Sequence, residues 1–418
     1  MDKVLRQLEK IIPKKIYTFF QPVYHYSLAT IGTVVYRFPS HNIHVIAVTG
    51  TKGKSSTTEF VNSVLENAGY KTAILSTIRF KIAENDKPNK YKMTMPGRFF
   101  VQKFLRDAVD AGCEYAIIEM TSEGAKMYRH IGVNLNTLIF TNLKPEHIES
   151  HGSFEKYKKA KLSLVKHLSK CKKQNKLAIA NIDDDHGKDF LVYDVDKNIP
   201  YSLTDVKIIS ADNKESIVVW ENETVRIPLP GKFNILNALS ALTFAKEIGI
   251  DANIAKEGIE KLSLIRGRVE KINEGQDFTV VVDYAHTDDS LKKLYETFNI
   301  SRKICVLGSC GGGRDSWKRP VMGSIADEYC SEIILTNEDP YDEDPTKIIK
   351  EVASGIKNHT PHIILNRRKA IREAIKLAKK DDTILITGKG TDPYIMEANG
   401  IKTPWDDARV AREELKNK

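Results

Sequence analysis

The sequence predicts an α/β protein made of two parallel, doubly wound sheets with a short helical segment ahead of them. Three observations carry this. Short apolar runs such as Ile43–Val48, Tyr115–Met120 and Lys303–Leu307 alternate with amphipathic stretches of helical length, the pattern of buried parallel strands joined by crossover helices. At 418 residues the chain is longer than one hydrophobic core supports, so two or three domains are expected. One alternating series ends around Leu262–Arg268, and a second opens at Thr279–Asp283.

Taken in order, residues 1–42 read as two short helices broken near Pro13 and Pro22, because proline removes a backbone donor. Val4, Leu5, Leu8, Ile11 and Ile12 form one apolar stripe, and Tyr24, Leu28, Ile31 and Val35 a second; both are expected to pack on the next domain. An interfacial helix is the alternative, since Lys14 and Lys15 flank an aromatic-rich stretch. Ile43–Val48 is a strand, Ser55–Ala68 a helix and Lys71–Ser76 a strand ended by a polar, hairpin-like stretch around Asn85–Lys92. A helix at Phe99–Ala111 and strands at Tyr115–Met120 and Thr137–Phe140 follow. The second series has strands at Thr279–Asp283, Lys303–Leu307, Glu332–Thr336, His362–Leu365 and Thr383–Thr387. The expected division is a helical segment at 1–42, a central domain at 43–265 and a C-terminal domain at 266–418.

Composition narrows the function classes. Lys and Arg number 64 against 55 Asp and Glu, a formal charge of +9 that favours anionic partners such as nucleotides. No RNA-binding aromatic signature or zinc-finger spacing occurs, so nucleic acid is not expected. The five cysteines are scattered and contain no CxxC pair, which supports neither a disulfide framework nor a zinc site. Met1–Leu8 opens no signal-peptide core, and no run of about 20 apolar residues is present to span a bilayer. A cytoplasmic location and a monomer are expected.

The strand Ile43–Val48 runs into Thr49-Gly50-Thr51-Lys52-Gly53-Lys54-Ser55-Ser56 and then a helix. Glycines let backbone N–H groups face phosphates, and a helix N-terminus adds partial positive charge. Lys54 is placed to reach the β- and γ-phosphates and the Ser55 hydroxyl to ligate Mg²⁺. Val48 stands where a general P-loop has its first glycine. Glu119 closes a buried strand, where a carboxylate can meet a nucleotide-bound metal. The run Thr141-Asn142-Leu143-Lys144-Pro145-Glu146-His147-Ile148-Glu149-Ser150-His151-Gly152-Ser153 leads towards Tyr157 and Lys161, and its oxygen and imidazole donors suit Mg²⁺. Alone, His147 reads as an ordinary loop histidine and Lys161 as one lysine of a basic helix.

Together these motifs resemble the Mur ligase family, closest to its MurE-type branch. The phosphate loop is similar to the family's TGTNGK(S/T), and the 141–161 run to TNLxxDHLDxHGSxExYxxAK, with Glu146 for the usual Asp. The resemblance implies a central P-loop-type sheet domain, a C-terminal Rossmann-like domain, ATP, and two Mg²⁺ sites held by Ser55, Glu119, His147 and Lys161, the last a candidate for carbamylation. It implies that Gly50, Thr51, Lys52, Gly53, Lys54, Ser55 and Ser56 hold the phosphates. Gly231-Lys232-Phe233-Asn234-Ile235-Leu236-Asn237-Ala238 resembles G-x-F-N-x-x-N-A, which assigns Asn234 and Asn237 to the adenine. Gly267-Arg268-Val269-Glu270 and Asp283-Tyr284-Ala285-His286-Thr287 resemble G-R-x-E and D-Y-A-H-(T/N)-P, which bring Arg268 to the γ-phosphate and Asp283 to the ribose. Lys54, Glu119, His147, Lys161 and Arg268 form the implied catalytic set.

Substrate residues follow from the same resemblance. Thr94-Met95-Pro96 and Glu119-Met120-Thr121-Ser122-Glu123-Gly124 stand for T-T-P and E-x-S-S-H-G, implying acceptor contacts at Thr94, Thr121 and Ser122. Gly308–Pro320 resembles G-x-G-G-x-R-D-x-x-K-R-P, implying roles for Arg314 and Asp315. Thr336-Asn337-Glu338-Asp339-Pro340-Tyr341 and Gly388-Lys389-Gly390-Thr391-Asp392 stand for T-x-D-N-P-R and G-K-G-H-E, implying donor contacts at Glu338, Asp339, Gly388 and Asp392. Tyr341 replaces the arginine that grips diaminopimelate in MurE-type enzymes, so lysine or another donor is at least as well suited. The family's chemistry is ATP-dependent joining of an amino acid to a carboxylated, UDP-muramoyl-peptide-like acceptor through an acyl phosphate. Only about 42 residues precede the first strand, where MurE-type ligases carry a UDP-binding domain; a lipid-linked acceptor and a peripheral membrane contact through residues 1–42 are therefore further expectations. A folylpolyglutamate-synthase-like ligase and an ATP-binding subunit of an amidotransferase complex are the alternatives.

Overall fold

The computed structural model describes residues 14–417, with side chains described from residue 21 onward. The stripe read in Val4, Leu5, Leu8, Ile11 and Ile12 lies outside these residues. Packing divides the chain into two compact units. One contains the residues up to Gly50, Gly69–Leu143 and Tyr157–Pro200; the other contains Thr51–Ala68, Lys144–Lys156 and Tyr201–Lys418.

In the first unit, strands β1 (His44–Thr49), β2 (Thr72–Leu75), β3 (Arg79–Ile82), β4 (Asn85–Pro88), β5 (Tyr115–Glu119), β6 (Thr137–Phe140), β7 (Leu177–Asn181) and β8 (Lys197–Tyr201) form one sheet. Its order is β4-β3-β2-β5-β1-β6-β7-β8. β2, β5, β1, β6 and β7 run parallel and are almost wholly buried, which is why they read as continuous apolar runs rather than alternating ones. β3 and β4 extend the edge antiparallel. Val48 pairs with Glu119 and Thr49 with Phe140, so the carboxyl ends of β5 and β6 flank the end of β1, where ligands of open α/β sheets bind.

The structure corrects three expectations. A single helix, Lys14–Val35, runs through Pro22; Pro22 is exposed, and one missing backbone bond does not end a helix whose flanking turns hold. Of its stripe, Tyr24, Ile31 and Val35 face solvent, at 40%, 50% and 58% exposure, and Leu28 is half-buried. The buried side carries His25, Ala29, Gly32 and Thr33 instead. The hairpin spans Arg79–Pro88 rather than Asn85–Lys92, turning at Ala83, whose φ is +50°.

In the second unit, the helix Lys54–Asn67 lies against the helices Lys232–Glu247 and Ala252–Lys261. β9 (Lys207–Ala211), β10 (Ser216–Trp220) and β11 (Glu223–Ile227) form an antiparallel meander not anticipated from the sequence. A larger sheet follows, built from β12 (Glu270–Ile272), β13 (Thr279–Val282), β14 (Lys303–Leu307), β15 (Glu332–Leu335), β16 (His362–Ile363) and β17 (Thr383–Ile386). Its order is β12-β13-β17-β14-β15-β16, parallel except for β12. Alternate residues of these strands enter two separate cores: Val281, Cys305, Leu307 and Leu385 face one, and Val280, Ile304, Val306 and Ile384 the other. A sheet covered on both faces is the result. β18 (Tyr394–Met396) and β19 (Lys402–Pro404) form a small hairpin. β16 is only two residues long, where His362–Leu365 was expected.

The cysteines depart from expectation too. Cys305 and Cys330 form a disulfide. Cys305 lies on β14 and Cys330 directly follows the helix Lys318–Tyr329, so the packing of helix on sheet brings together two thiols that no local spacing linked.

Candidate active site

Gly50 and Gly53 shape the phosphate loop. Gly50 has φ +150°, and a Cβ there would lie 1.9 Å from Thr141 Oγ1; Gly53 has φ +82°, and its Cβ would meet Asn237 Oδ1 at 2.5 Å. Side chains are excluded at both positions by conformation and by space. Lys54 opens the following helix and its Nζ donates to the Thr51 carbonyl at 2.9 Å. Thr51 Oγ1 accepts from the Lys144 N–H at 3.0 Å. Ser55 and Ser56 are buried in the helix's first turn. The loop's N–H groups, the Lys54 ammonium and the Ser55 hydroxyl are a donor set that fits a nucleotide phosphate with a hard cation.

Asn234 and Asn237 are buried and joined to each other at 3.1 Å, and Asn237 Oδ1 also accepts from Thr57 Oγ1 at 3.4 Å. They therefore brace the helix that follows the phosphate loop. Arg268 lies over the Tyr284 ring at 4.5 Å, and its guanidinium reaches Ser55 Oγ at 3.5 Å. Asp283 accepts backbone N–H groups from Val269 and Ala285, each at 2.7 Å, which ties the Arg268 segment to the end of β13.

Within the first unit, both Glu119 oxygens are held by Thr77, from its N–H at 3.1 Å and its hydroxyl at 2.9 Å. Thr77 Oγ1 in turn meets Thr94 Oγ1 at 2.8 Å. Thr94 is thus linked to Glu119 through one residue, Thr77, which no sequence motif marked. Lys161 is buried beside the Tyr157 ring and its ammonium donates to the Gly50 carbonyl at 2.6 Å. Thr121 caps a short helix by accepting from the Gly124 N–H, and Ser122 is buried in its first turn.

The second unit contains a half-buried charge cluster that the sequence did not reveal. Lys52 Nζ lies 2.9 Å from Glu146 Oε1 and 3.3 Å from His286 Nε2. His286 Nδ1 donates to the Tyr284 carbonyl at 2.6 Å, which leaves Nε2 of the neutral ring as an acceptor for the lysine. Burial, then the Lys52 charge, pushes His286 down to about 4. Burial would raise Glu146, but the Lys52 charge outweighs it and holds the carboxyl well below its ordinary range. His147 has φ +58°, and its N–H donates to Asp315 Oδ2 at 3.1 Å, so the candidate metal ligand and a candidate substrate residue are neighbours.

The carboxyl edge of the second sheet gathers the remaining candidates. Asp339 pairs with the buried Lys389 at 2.7 Å, and Lys389 also reaches the Tyr394 carbonyl and Asp392. Glu338 is buried beside Gly388, where a Cβ would lie 2.5 Å from Glu338 Oε2. That oxygen lacks a hydrogen-bond partner. Burial, then the Asp339 charge, raises the Glu338 carboxyl. Arg314 lies over the Tyr341 ring at 5.0 Å.

The chain matches the Mur ligase middle domain over residues 48–245 and the Mur ligase, glutamate ligase domain over residues 267–390. It is 35% identical over 407 residues to a UDP-N-acetylmuramoyl-L-alanyl-D-glutamate–2,6-diaminopimelate ligase of Syntrophomonas wolfei, covering 94% of this chain and 82% of that protein. It is 35% identical over 417 residues to a UDP-N-acetylmuramyl-tripeptide synthetase of Roseiflexus, covering 93% and 82%. A solved UDP-N-acetylmuramoyl-L-alanyl-D-glutamate–2,6-diaminopimelate ligase superposes with a TM-score of 0.61 at 29% identity, covering 90% of this chain and 78% of that one. Mycobacterium tuberculosis folylpolyglutamate synthase, with a TM-score of 0.70 at 15% identity over 88% and 93%, shares the fold. The chain belongs to the Mur ligase family, ATP-dependent, ADP-forming enzymes that make amide bonds with the help of Mg²⁺.

Proposed function

We propose that this protein joins the amine of an amino acid to the carboxylate of a muramoyl-peptide-like acceptor in cell-wall precursor synthesis, in the cytoplasm. The observation that carries the reading is the strand register Val48–Glu119, which sets a carboxylate beside the strand that feeds the phosphate loop. Mg²⁺, when bound, supplies charge neutralisation on the phosphates. In this reading Ser55 and Glu119 hold one ion, and His147 and a carbamylated Lys161 belong to a second; carbamylation would convert the Lys161 donor into an anionic oxygen ligand. Lys54 and Arg268 offset charge as the acceptor carboxylate takes the γ-phosphoryl group and ADP leaves. The amine then attacks the acyl phosphate and phosphate leaves. Asn234, Asn237 and Asp283 serve the nucleoside, Thr94, Thr121 and Ser122 the acceptor, and residues 266–418 the donor.

The donor end favours a cationic side chain. Glu338 presents a buried oxygen without a partner, and Tyr341 supplies no charge to a second carboxylate. Lysine therefore fits better than diaminopimelate. A lipid-linked acceptor is the second reading, favoured by the exposed apolar face of the helix Lys14–Val35.

The test is phosphate release from Mg-ATP across a panel of amino acids, with UDP-linked and lipid-linked muramoyl peptides. Release that needs an acceptor and one amino acid is expected, and Lys54→Ala should lower it by roughly 10²–10³-fold, as loss of a transition-state charge partner does. Silence over the panel with ATP still bound would overturn the reading in favour of a folate-type ligase or a subunit that acts only within an amidotransferase complex.

A further inference from the structure

We propose that Cys310, Glu338 and Asp339 form a binding site for a thiophilic divalent cation, zinc being the best-matched ion, at the carboxyl edge of the second sheet. A cation there competes with the amino-acid donor; that consequence rests on the ligase reading, and the site itself does not.

The topology brings the three residues together. β14 and β15 run parallel, and Leu307 at the end of one pairs with Leu335 at the end of the other. Cys310 and Glu338 each stand three positions beyond those partners. Two glycines let the loops touch on either side of the cysteine. A Cβ on Gly308 would lie 2.5 Å from the Thr336 carbonyl oxygen, and one on Gly311 2.2 Å from that of Pro340. The Gly311 N–H also donates to the Asp339 backbone carbonyl at 2.8 Å. Held in this way, the Cys310 sulfur and one oxygen of each carboxylate lie within 4.8 Å of one another.

Glu338 points to a missing cation. It is 5% exposed, its Oε2 is shielded from water, and among the described residues no donor reaches that oxygen. The nearest ammonium is already committed: Lys389 lies 2.7 Å from Asp339, 3.5 Å from Asp392 and 2.6 Å from the Tyr394 carbonyl. Arg367 is likewise taken, by both oxygens of Asp407. Glu338, Asp339 and Asp392 thus carry three negative charges against the one on Lys389. A buried carboxylate is tolerated when it is paired or ligates a metal.

The donor atoms select the ion. Mg²⁺ and Ca²⁺ prefer oxygen alone, whereas a thiolate beside two carboxylates suits zinc and its analogue cobalt. Zinc bonds of about 2.0–2.3 Å set tetrahedral ligands roughly 3.3–3.8 Å apart, so the three side chains need draw in by only about an ångström. Three protein ligands leave the fourth position open to water. Asp339 Oδ1 is fixed from behind by Lys389 and by the Met396 N–H at 2.8 Å, the outer support that metal ligands receive. Arg314 lies 3.8 Å from the Cys310 sulfur, and a neighbouring cation favours the thiolate. The thiol proton passes to water as the sulfur–metal bond forms.

The experiment titrates the full chain, its disulfide intact and its phosphate loop saturated with Mg-ADP, with Co²⁺ and separately with Zn²⁺. One equivalent of Co²⁺ is expected to produce a sulfur-to-cobalt charge-transfer band in the near ultraviolet. Cys310→Ser should abolish the band and weaken zinc binding by more than about tenfold, the loss that even outer-shell changes cause. Glu338→Gln should weaken both ions by about tenfold or more and keep the band at higher Co²⁺. Cys310→His, which restores a ligating atom, should recover zinc affinity without the band, and unchanged Mg-ADP affinity shows that each variant is folded. Absence of the band, or a band that survives Cys310→Ser, would overturn the site. In the ligase assay Zn²⁺ should raise the donor KM and leave the ATP KM unchanged, and Cys310→Ser should resist it. A bound metal that leaves the donor KM unmoved would overturn the competition. A cobalt band without ligation of any amino acid would instead sink the ligase reading and leave the metal site standing.

Discussion

Tyr341 illustrates how one side chain can redirect a site. Its φ is +51°, its N–H donates to the Met396 carbonyl at 3.0 Å, and its ring carries the Arg314 guanidinium. The position therefore presents an aromatic face that already holds a cation, where a MurE-type arginine would present a fork. Replacing it should change which donor is accepted. Tyr341→Arg is expected to shift the ratio of kcat/KM for diaminopimelate over lysine by roughly ten- to a hundredfold, the worth of a hydrogen bond to a charged group. An unchanged ratio would show that Tyr341 does not face the donor. Residues of this kind were readable as departures from a motif; Thr77 and His286 were not, because their importance lies in whom they touch.

Elements are held by close approaches that motifs do not record. The helix Lys54–Asn67 meets the helix Ala252–Lys261 at Gly258, where an added Cβ would lie 2.6 Å from Val64 Cα, and Ser63 Oγ donates to the Gly258 carbonyl at 2.6 Å. The contact is with backbone, so no side chain can swing aside. Gly258→Ala should cost about 1–3 kcal/mol in urea denaturation, the usual penalty for overpacking, and should blunt ATP binding by shifting the helix that carries Lys54. The Cys305–Cys330 link joins β14 to the end of the helix Lys318–Tyr329. The loop it closes holds Arg314 and Asp315. Reduction, or Cys330→Ser, is expected to lower stability by about 2–4 kcal/mol, as loss of a cross-link over a loop of this length does. Equal melting temperatures with and without reductant, with the thiols counted by mass, would show that the link contributes nothing.

At the scale of the molecule, buried histidines make stability depend on pH. His130 is buried and packs edge-on against His167; burial, then the His167 charge, pushes it down to about 3. His44 and His286 fall to about 4, mainly through burial. Each is neutral in the folded chain over a range where the unfolded chain binds a proton. Their contribution is therefore complete above the ordinary histidine value of about 6.5 and is lost progressively as pH falls from there towards 3. Each tenfold loss of proton affinity on folding is worth about 1.4 kcal/mol, so His130 alone accounts for several kcal/mol. Urea midpoints measured from about pH 7.5 to 5, the upper part of this window, should fall steadily, and His130→Gln should flatten the slope; a flat profile in the parent chain would refute the argument.

The sequence alone determined the order of the parallel strands' apolar runs, the phosphate loop and the family's ordered motifs. These are local: a buried strand needs consecutive apolar residues, and a phosphate loop needs its glycines and lysine adjacent in the chain. The edges were less legible. β9 to β11 are short and partly exposed, the N-terminal helix passes through its proline, and the helix's apolar stripe turned out to face water. Only the tertiary structure decided that Thr77 holds Glu119, that Lys52, Glu146 and His286 share one cluster, and that Cys305 meets Cys330. Each of these joins residues tens to hundreds of positions apart, and their energies come from distance and burial, which no local spacing encodes.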